Sequence, residues 1–145
     1  MRWRVLVSAP YFIPVIDEWQ QRLTAEGVEL VPAQVNERLS EAELLEVITD
    51  IDGIICGDDR ITKVVLDAAP RLKVISKWGT GIDSIDSDEA NRRGIPVYRT
   101  PNAFSEPVAD TVLGYMLTFA RKLPWMDRDI RRGNWKKPPL VSLRE

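Results

Sequence analysis

The chain has 145 residues, enough for one domain with a hydrophobic core and too few for two domains of ordinary size. It is 44% hydrophobic and 29% charged with a formal net charge of −2, which is typical of a globular protein without a general affinity for nucleic acid or membrane. It contains no histidine, which excludes histidine general bases, Ser-His or Cys-His nucleophiles and histidine metal ligands within these residues. A single cysteine excludes an internal disulfide and fits a reducing cytoplasm. No apolar run is long enough to span a membrane, and the N-terminus leads into a strand instead of a secretion signal.

The first two thirds of the chain alternate apolar runs with segments of helical periodicity. In chain order, the predicted elements are a strand at 4–8, a helix at 15–26, a strand at 28–31, a helix at 41–48, a strand at 52–57, a short helix capped by Thr62, a strand ending near 78, a helix at 87–93 and a strand at 96–98. This alternation predicts an α/β fold: a parallel five-stranded sheet with helices on both faces and a flavodoxin-like strand order. That order brings the ends of strands one, three and four into one crevice.

The character of the sequence changes after Thr100. A helix is predicted from Ser105, and no charged residue lies between Asp110 and Arg121, so nearly every helix face is apolar. A helix that is apolar all round is expected to be buried all round, here against another subunit or another domain. The segment from Arg121 to Glu145 is basic and is predicted to be an extended arm.

A glycine pair follows the fourth predicted strand. Gly79 and Gly81 lack the Cβ atoms that would block a tight turn, so backbone N–H groups can point outward together and bind an anion. The segment 79–84 also nearly matches the dinucleotide fingerprint G-x-G-x-x-G. However, Ser84 replaces the third glycine, and the next strand ends at 98–100 without a carboxylate for a ribose. An ordinary turn remains an alternative interpretation.

Several motifs together resemble one protein family. The segment ISKWGTGIDSID at 75–86 resembles the GxGxDNID segment of the D-isomer-specific 2-hydroxyacid dehydrogenases, the phosphoglycerate dehydrogenase family. RGIPV at 93–97, TPN at 100–102 and SEPVAD at 105–110 are similar to the next motifs of that family, with Asp110 in place of its usual glutamate. Arg121 ends the helix as in the family's LAR motif, and GNW at 133–135 resembles its GxW. The resemblance covers the whole chain.

The resemblance implies a division of roles. Residues 1–99 correspond to a flavodoxin-like substrate-binding domain, and residues 100–145 to a hinge, a dimerisation helix and an arm that lead into an NAD-binding Rossmann domain. A homodimer through 105–135 is expected. The implied reaction is hydride transfer between NAD and a small 2-hydroxy or 2-oxo acid, with a 3-phosphoglycerate-like acid among the candidates. The family's catalytic arginine, glutamate and histidine are expected beyond Glu145, so the 145-residue chain alone is predicted to be inactive.

The resemblance also assigns site residues. The backbone N–H groups of Thr80 and Gly81 would hold the substrate carboxylate, beside Gly79 and Lys77, and Lys77 stands where some phosphoglycerate-specific members carry an arginine. Gly57 stands where those members carry another, which argues against phosphoglycerate itself. Asn102 and Ser105 would lie at the hinge, near the cofactor. No catalytic residue and no metal ligand is predicted within the chain.

Other interpretations remain open. The chain could be a non-catalytic flavodoxin-like module that binds a small anion, or a partner through the 105–121 helix. Asp58 and Asp59 resemble a receiver-domain phosphoacceptor, but Ser8-Ala9 lacks the acidic pair of that class, so both are predicted to be solvated turn residues paired with Arg60. Cys56 is predicted to be a small core residue, and Trp78 either a pocket wall or an apolar cover. The predicted location is cytoplasmic. The basic residues of the arm are predicted to be solvated rather than bound to nucleic acid: Arg128, Arg131, Arg132, Lys136 and Lys137.

Overall fold

A computed structural model describes residues 2–143, which form two compact units, one extending to Asn102 and the other beginning at Ala103. The strands and helices of the first unit closely follow the prediction. Its strands are β1 (Trp3–Val7), β2 (Val28–Pro32), β3 (Gly53–Cys56), β4 (Val74–Lys77) and β5 (Val97–Tyr98). Its helices are α1 (Ile16–Ala25), which follows a 3₁₀ turn at Ile13–Val15, then α2 (Glu41–Val47), α3 (Lys63–Asp67) and α4 (Ser87–Arg92).

The five strands form one parallel sheet in the order β2-β1-β3-β4-β5. Val5 in β1 pairs with Leu30 on one side and with Gly53 on the other, and Cys56 pairs with Lys77 at the end of β3 and β4. The predicted flavodoxin-like order is confirmed. The carboxyl ends of β1, β3 and β4 are therefore neighbours along one edge of the sheet.

Helices cover both faces of this sheet. Consecutive strand residues point to opposite faces, and they separate into two hydrophobic clusters. Leu6 and Ile54 pack in one cluster with residues of α2, α3 and α4, whereas Val7 and Ile55 pack in the other with residues of α1. The two-sided packing predicted from the strand–helix alternation is confirmed.

Local sequence signals account for the helix ends in the first unit. Ser40 and Glu43 form the predicted capping box of α2, because the Glu43 N–H donates to Ser40 Oγ and the Ser40 N–H donates to the Glu43 carboxylate at 2.8 Å. Thr62 caps α3 as predicted. Helix α4 begins at Ser87 as predicted, and its cap is Asp86, which accepts the Glu89 N–H at 3.0 Å.

A buried carboxylate lies at the amino end of β3, opposite to the edge formed by the glycine loop. Asp52 accepts the Arg4 N–H at 3.0 Å and lies 2.6 Å from Arg71 Nη2 and 3.2 Å from Lys73 Nζ. The Arg4 hydrogen bond, assisted by these two cations, lowers the pKa of Asp52 to about 2.

The second unit contains α5 (Ser105–Ala120) and α6 (Leu123–Arg131). The prediction of an extended arm from Arg121 is wrong for α6. Pro124 is compatible with the first turn of a helix, the Phe119 and Trp125 rings pack 5.9 Å apart, and Arg131 pairs with Asp127 one turn earlier. These local contacts outweigh the charge-rich composition on which the arm was predicted.

Helix α5 begins at Ser105 as predicted, but none of its residues is buried within this chain. The predicted burial of its apolar faces is therefore not supplied by the chain itself. Among residues 2–143, no helix is long and apolar enough to cross a lipid bilayer.

Candidate functional site

The glycine loop begins directly after β4. The Trp78 N–H donates to the Cys56 carbonyl at 2.9 Å, which extends the pairing of β3 and β4 by one residue. Gly79 then adopts a φ of 148°, a conformation that residues with side chains rarely take, and a Cβ atom there would lie 3.3 Å from Lys77 Cε. The chain turns out of the sheet at this glycine.

Two adjacent amides in this loop lack acceptors. Within residues 2–143, neither the Thr80 N–H nor the Gly81 N–H donates to a protein group. The other polar groups of the turn are engaged: the Thr80 hydroxyl donates to the Thr100 carbonyl at 2.8 Å, and the Thr100 N–H donates to the Gly79 carbonyl at 2.9 Å. Gly81 is an exposed residue, and Thr80 is partly exposed. The loop can therefore offer a pair of neighbouring donors to an anion.

The far end of the loop is also held by backbone hydrogen bonds. The Ile61 N–H donates to the Ser84 carbonyl at 3.0 Å, and the Asp86 N–H donates to the Ile61 carbonyl at 2.8 Å. Ile61 and Ile85 form a parallel bridge outside the five strands. The segment 79–84 is thus held near its start by Cys56 and Thr100 and at its end by Ile61.

Lys77 does not extend freely into this loop. The residue is only 5% exposed, and its Nζ donates to the Gly57 carbonyl at 2.6 Å and to the Asp58 carboxylate. The prediction that Asp58 pairs with Arg60 is wrong, because Asp58 pairs with Lys77. The ammonium already has two protein partners, so a direct contact between Lys77 and substrate stays a prediction that this geometry does not favour.

Asp59 is not a solvated turn residue, which corrects the prediction from sequence. Its side chain is fully buried and accepts hydrogen bonds from Ser8 Oγ at 2.5 Å, the Leu39 N–H at 2.6 Å and the Gly57 N–H at 3.1 Å. Burial raises the pKa of Asp59 in spite of these donors. One carboxylate therefore connects the ends of β1 and β3 with the segment before α2. One signal in the sequence could have indicated this buried contact: a polar residue follows each of two neighbouring buried strands.

Two more residues from the sequence analysis lie at this edge of the sheet. Cys56 is fully buried, and desolvation raises the pKa of its thiol to about 12, which confirms a core role. Trp78 is 46% exposed, and its ring packs 5.0 Å from that of Phe12, which follows β1. Trp78 thus covers Phe12 on one side and is open to solvent on the other.

The two predicted hinge residues belong to different units. Asn102 is the last residue of the first unit and adopts a left-handed φ of 62°. Ser105 is the first residue of α5 in the second unit, and both residues are exposed. Their predicted proximity to a cofactor stays a prediction.

A shallow depression of about 230 Å³ adjoins the glycine loop. Its wall combines the exposed end of the loop with charged side chains from two other segments: Arg38, Asp58, Arg60, Gly81, Asp83 and Ser84. Sequence analysis did not consider Arg38. In the part of the chain that the structure describes, no group of three or more His, Cys, Asp or Glu side chains could hold a metal ion.

Comparison with known proteins identifies the family. Residues 5–132 match the model of the D-isomer specific 2-hydroxyacid dehydrogenase catalytic domain. The chain belongs to this family. The resemblance inferred from the loop and hinge motifs is confirmed, and the family is one of oxidoreductases.

Curated relatives in the family include two kinds of enzyme. A glyoxylate reductase from Thermofilum pendens is 44% identical over 100 residues, which cover 68% of this chain and 30% of that protein. A D-3-phosphoglycerate dehydrogenase from Methanocaldococcus jannaschii is 36% identical over 110 residues, which cover 75% of this chain and 21% of that protein. The chain thus spans about a third or less of the length of the curated relatives it matches.

A solved structure gives the same picture. An NADPH-dependent glyoxylate/hydroxypyruvate reductase from Sinorhizobium meliloti, in complex with NADP and malonate, matches with a TM-score of 0.73 and 30% identity. The match covers 99% of this chain and 44% of the reductase chain.

Proposed function

We propose that this chain is the substrate-binding part of an NAD-dependent 2-hydroxyacid dehydrogenase. The observation that carries the proposal is the pair of unpartnered N–H groups at Thr80 and Gly81, on a loop fixed at both ends. These groups bind the carboxylate of a 2-hydroxy or 2-oxo acid, beside Gly79. Donors that already point toward an anion bind it with little reorganisation, and hydrogen bonds to a charged acceptor are stronger than neutral ones.

The proposed reaction is transfer of hydride between a nicotinamide cofactor and C2 of the acid. The nicotinamide accepts or supplies the hydride, and this chain holds the acid. The glycine loop itself does not fit a dinucleotide, because Ser84 stands in place of a glycine and no carboxylate follows β5. We therefore assign the cofactor fingerprint and the proton-transferring histidine to residues outside these 145, with only Asn102 and Ser105 near the cofactor. The chain alone is expected to lack turnover.

The choice of cofactor and the location are parts of the proposal. We expect NAD on the basis of the family resemblance, although the Sinorhizobium meliloti relative is described as NADPH-dependent. A cytoplasmic location is proposed from the single cysteine, since a reducing compartment keeps such a thiol free.

The carboxylate site can be tested by NMR on the 145-residue chain. Pyruvate is expected to shift the amide signals of Thr80 and Gly81 more than any others, whereas pyruvamide, which lacks the negative charge, is expected to leave them unchanged. Gly81→Ala serves as the matched control because its Cβ would meet only Asp83 Oδ2 at 3.7 Å and the N–H is retained. Gly81→Pro removes the donor together with its signal and is expected to abolish the shift of the Thr80 signal. Equal shifts with pyruvamide, or unchanged pyruvate binding by Gly81→Pro, would refute the proposal.

We also propose that a second copy of the chain covers the segment 105–135. Helix α5 exposes a continuous set of large apolar side chains, with Leu113 53% and Phe119 67% exposed. Large exposed apolar surfaces commonly mark sites of protein–protein contact. A dimer would also supply the burial that the apolar helix sequence predicts.

Sedimentation equilibrium tests the dimer directly. The wild-type chain is expected to sediment as a dimer at micromolar concentration, and Leu113→Lys with Phe119→Lys as a monomer. Gln21→Lys with Ala25→Lys adds the same two positive charges at exposed positions of α1 and is expected to remain dimeric. A monomeric wild-type chain, or a double variant that dimerises as well as the wild type, would disprove this interface.

A further inference from the structure

The two peptides that supply the proposed anion donors are both held at their carbonyl groups. The Thr80 N–H belongs to the peptide that begins with the Gly79 carbonyl, and this carbonyl accepts the Thr100 N–H at 2.9 Å. The Gly81 N–H belongs to the peptide that begins with the Thr80 carbonyl. That second carbonyl accepts a hydrogen bond from Arg99 Nη1 at 3.1 Å. One of the two donor peptides is therefore held by a side chain and the other by the main chain.

A partner at the carbonyl fixes the direction of the N–H. A trans peptide unit is planar, and its C=O and N–H bonds point to opposite sides of the chain. Within residues 2–143, no peptide bond is cis. A donor that holds the Thr80 carbonyl on one side consequently turns the Gly81 N–H to the other side. Arg99 thus lies across the peptide from an anion that binds the Gly81 N–H, and it acts on that anion through the peptide.

The peptide between Thr80 and Gly81 has little else to fix its orientation. Glycine adopts positive and negative φ values about equally, so Gly81 itself offers little resistance to rotation of this peptide. The space beside its Cα is also open, because a Cβ atom there would meet only Asp83 Oδ2 at 3.7 Å. The hydrogen bond from Arg99 is therefore the contact that selects one orientation.

The position of Arg99 in the fold suits this role. It directly follows β5, whose Tyr98 pairs with Ser76 of β4, so the chain after β5 runs beside the glycine loop. In the described part of the chain, 2–143, no carboxylate lies within ion-pair distance of the Arg99 guanidinium, and its side chain donates a hydrogen bond only to the Thr80 carbonyl. No competing ion pair draws the guanidinium away from the loop.

We propose that Arg99 is a positioning residue of the anion site: its guanidinium holds the Thr80 carbonyl and thereby directs the Gly81 N–H toward the substrate carboxylate. This inference rests on the proposed function and adds to it a residue that does not touch the substrate. The positive charge of the guanidinium also strengthens the donor, because a hydrogen bond accepted by a peptide carbonyl polarises the N–H of the same peptide.

The orientation of both N–H bonds can be measured as residual dipolar couplings of the weakly aligned 145-residue chain, with the alignment fitted to the other amides of the first unit. In the wild type, both couplings are expected to match the structure. In Arg99→Met, the Gly81 coupling is expected to depart from that value, whereas the Thr80 coupling should keep it, because the Thr100 N–H still holds the preceding peptide.

Arg60→Met is the matched control for charge. It removes a positive charge from the depression beside Gly81 but removes no partner of the Thr80 carbonyl, so both couplings are expected to stay at their wild-type values. Three results would overturn the inference: a Gly81 coupling that Arg99→Met leaves unchanged, an equal change in Arg60→Met, or a change of the Thr80 coupling as large as that of Gly81. The last result would mean that Arg99 only stiffens the loop as a whole.

Pyruvate binding supplies the second measurement and separates the inference from the function beneath it. By NMR titration, Arg99→Met is expected to bind pyruvate about 5-fold more weakly than the wild type, which is the scale of one lost hydrogen bond. If the wild type binds pyruvate and the loss in Arg99→Met is less than about 2-fold, the positioning role is wrong and the carboxylate site stands. If pyruvate shifts neither the Thr80 nor the Gly81 signal of the wild type, both proposals fail.

Discussion

Removal of the Asp59 carboxylate should destabilise the first unit well beyond the effect of an ordinary surface substitution. In Asp59→Ala, the Leu39 N–H and the Gly57 N–H lose their acceptor, whereas the Ser8 hydroxyl can still turn toward the Ile55 carbonyl at 3.5 Å. A buried donor without a partner costs about 1–3 kcal/mol, so two of them give about 2–6 kcal/mol.

The buried charge offsets part of this cost. The raised pKa of Asp59 means that its ionised form is less favourable in the folded state than in the unfolded chain, so loss of the charge returns some free energy. We therefore expect a net loss of about 2–4 kcal/mol in the free energy of unfolding for Asp59→Ala. Asp59→Asn should lose about half as much, because the two N–H groups donate to different carboxylate oxygens and the amide replaces one of these oxygens with an NH2 donor.

Urea unfolding followed by the NMR signals of β1, β3 and β4 measures this effect in the first unit alone. Asp83→Asn is the matched control: Asp83 is exposed and should change stability by less than about 0.5 kcal/mol. The expected order of destabilisation is Asp59→Ala, then Asp59→Asn, then Asp83→Asn. If Asp59→Ala is no less stable than Asp83→Asn, the hydrogen bonds of Asp59 do not hold the three segments together.

Three further predictions concern the loop, the opposite edge and the thiol. Gly79→Ala should destabilise the first unit by about 1–3 kcal/mol in urea unfolding because of its positive φ, whereas Gly81→Ala should cost less than about 1 kcal/mol; equal costs would contradict a strained turn. The lowered pKa of Asp52 stabilises the fold above about pH 4, and this contribution should be lost toward pH 2. Thermal unfolding should show that the free energy of unfolding falls by about 1–2 kcal/mol as the pH is lowered through this window. This fall should disappear in Asp52→Asn and persist in Asp50→Asn. A pH profile of Asp52→Asn that matches the wild type would exclude this origin. Cys56 should react with a disulfide reagent only at the rate at which the chain unfolds, and rapid labelling of the native chain would contradict its burial.

The fold was predictable because its signals are local and repeated. Each strand of the first unit is a short apolar run, and Ser40 and Thr62 mark helix starts by hydrogen bonds within a few residues. The parallel direction of the strands follows from the alternation of strands and helices. A helix that crosses over one face of the sheet returns the chain to the edge at which the previous strand began. Helix α6 was missed because each of its stabilising contacts contributes little free energy and the segment is basic in composition. These contacts are the Asp127–Arg131 pair and the packing of the Trp125 ring on Phe119.

The candidate site was predictable only in part. The glycine pair could be recognised from residue type, because a positive φ at Gly79 requires it. The partners of Asp58 and Asp59 could not, because adjacent residues at the end of a strand face different environments: one pairs with Lys77, and the other is buried against Ser8. The place of Arg38 in the depression depends on hydrogen bonds that join its neighbour Leu39 to Asp59 and Arg60, which lie far along the chain and which no local pattern encodes.

The way in which the glycine loop is anchored also bears on how such proteins diversify. Its two ends are held by main-chain atoms of Cys56 and Ile61, which lie outside the loop and whose hydrogen bonds do not depend on side-chain identity. Mutations at Asp83, which lines the depression beside Gly81, can therefore alter the preference for one acid over another while leaving the amide pair in place. We expect selection to have tuned the surroundings of this loop many times without a need to rebuild the sheet beneath it.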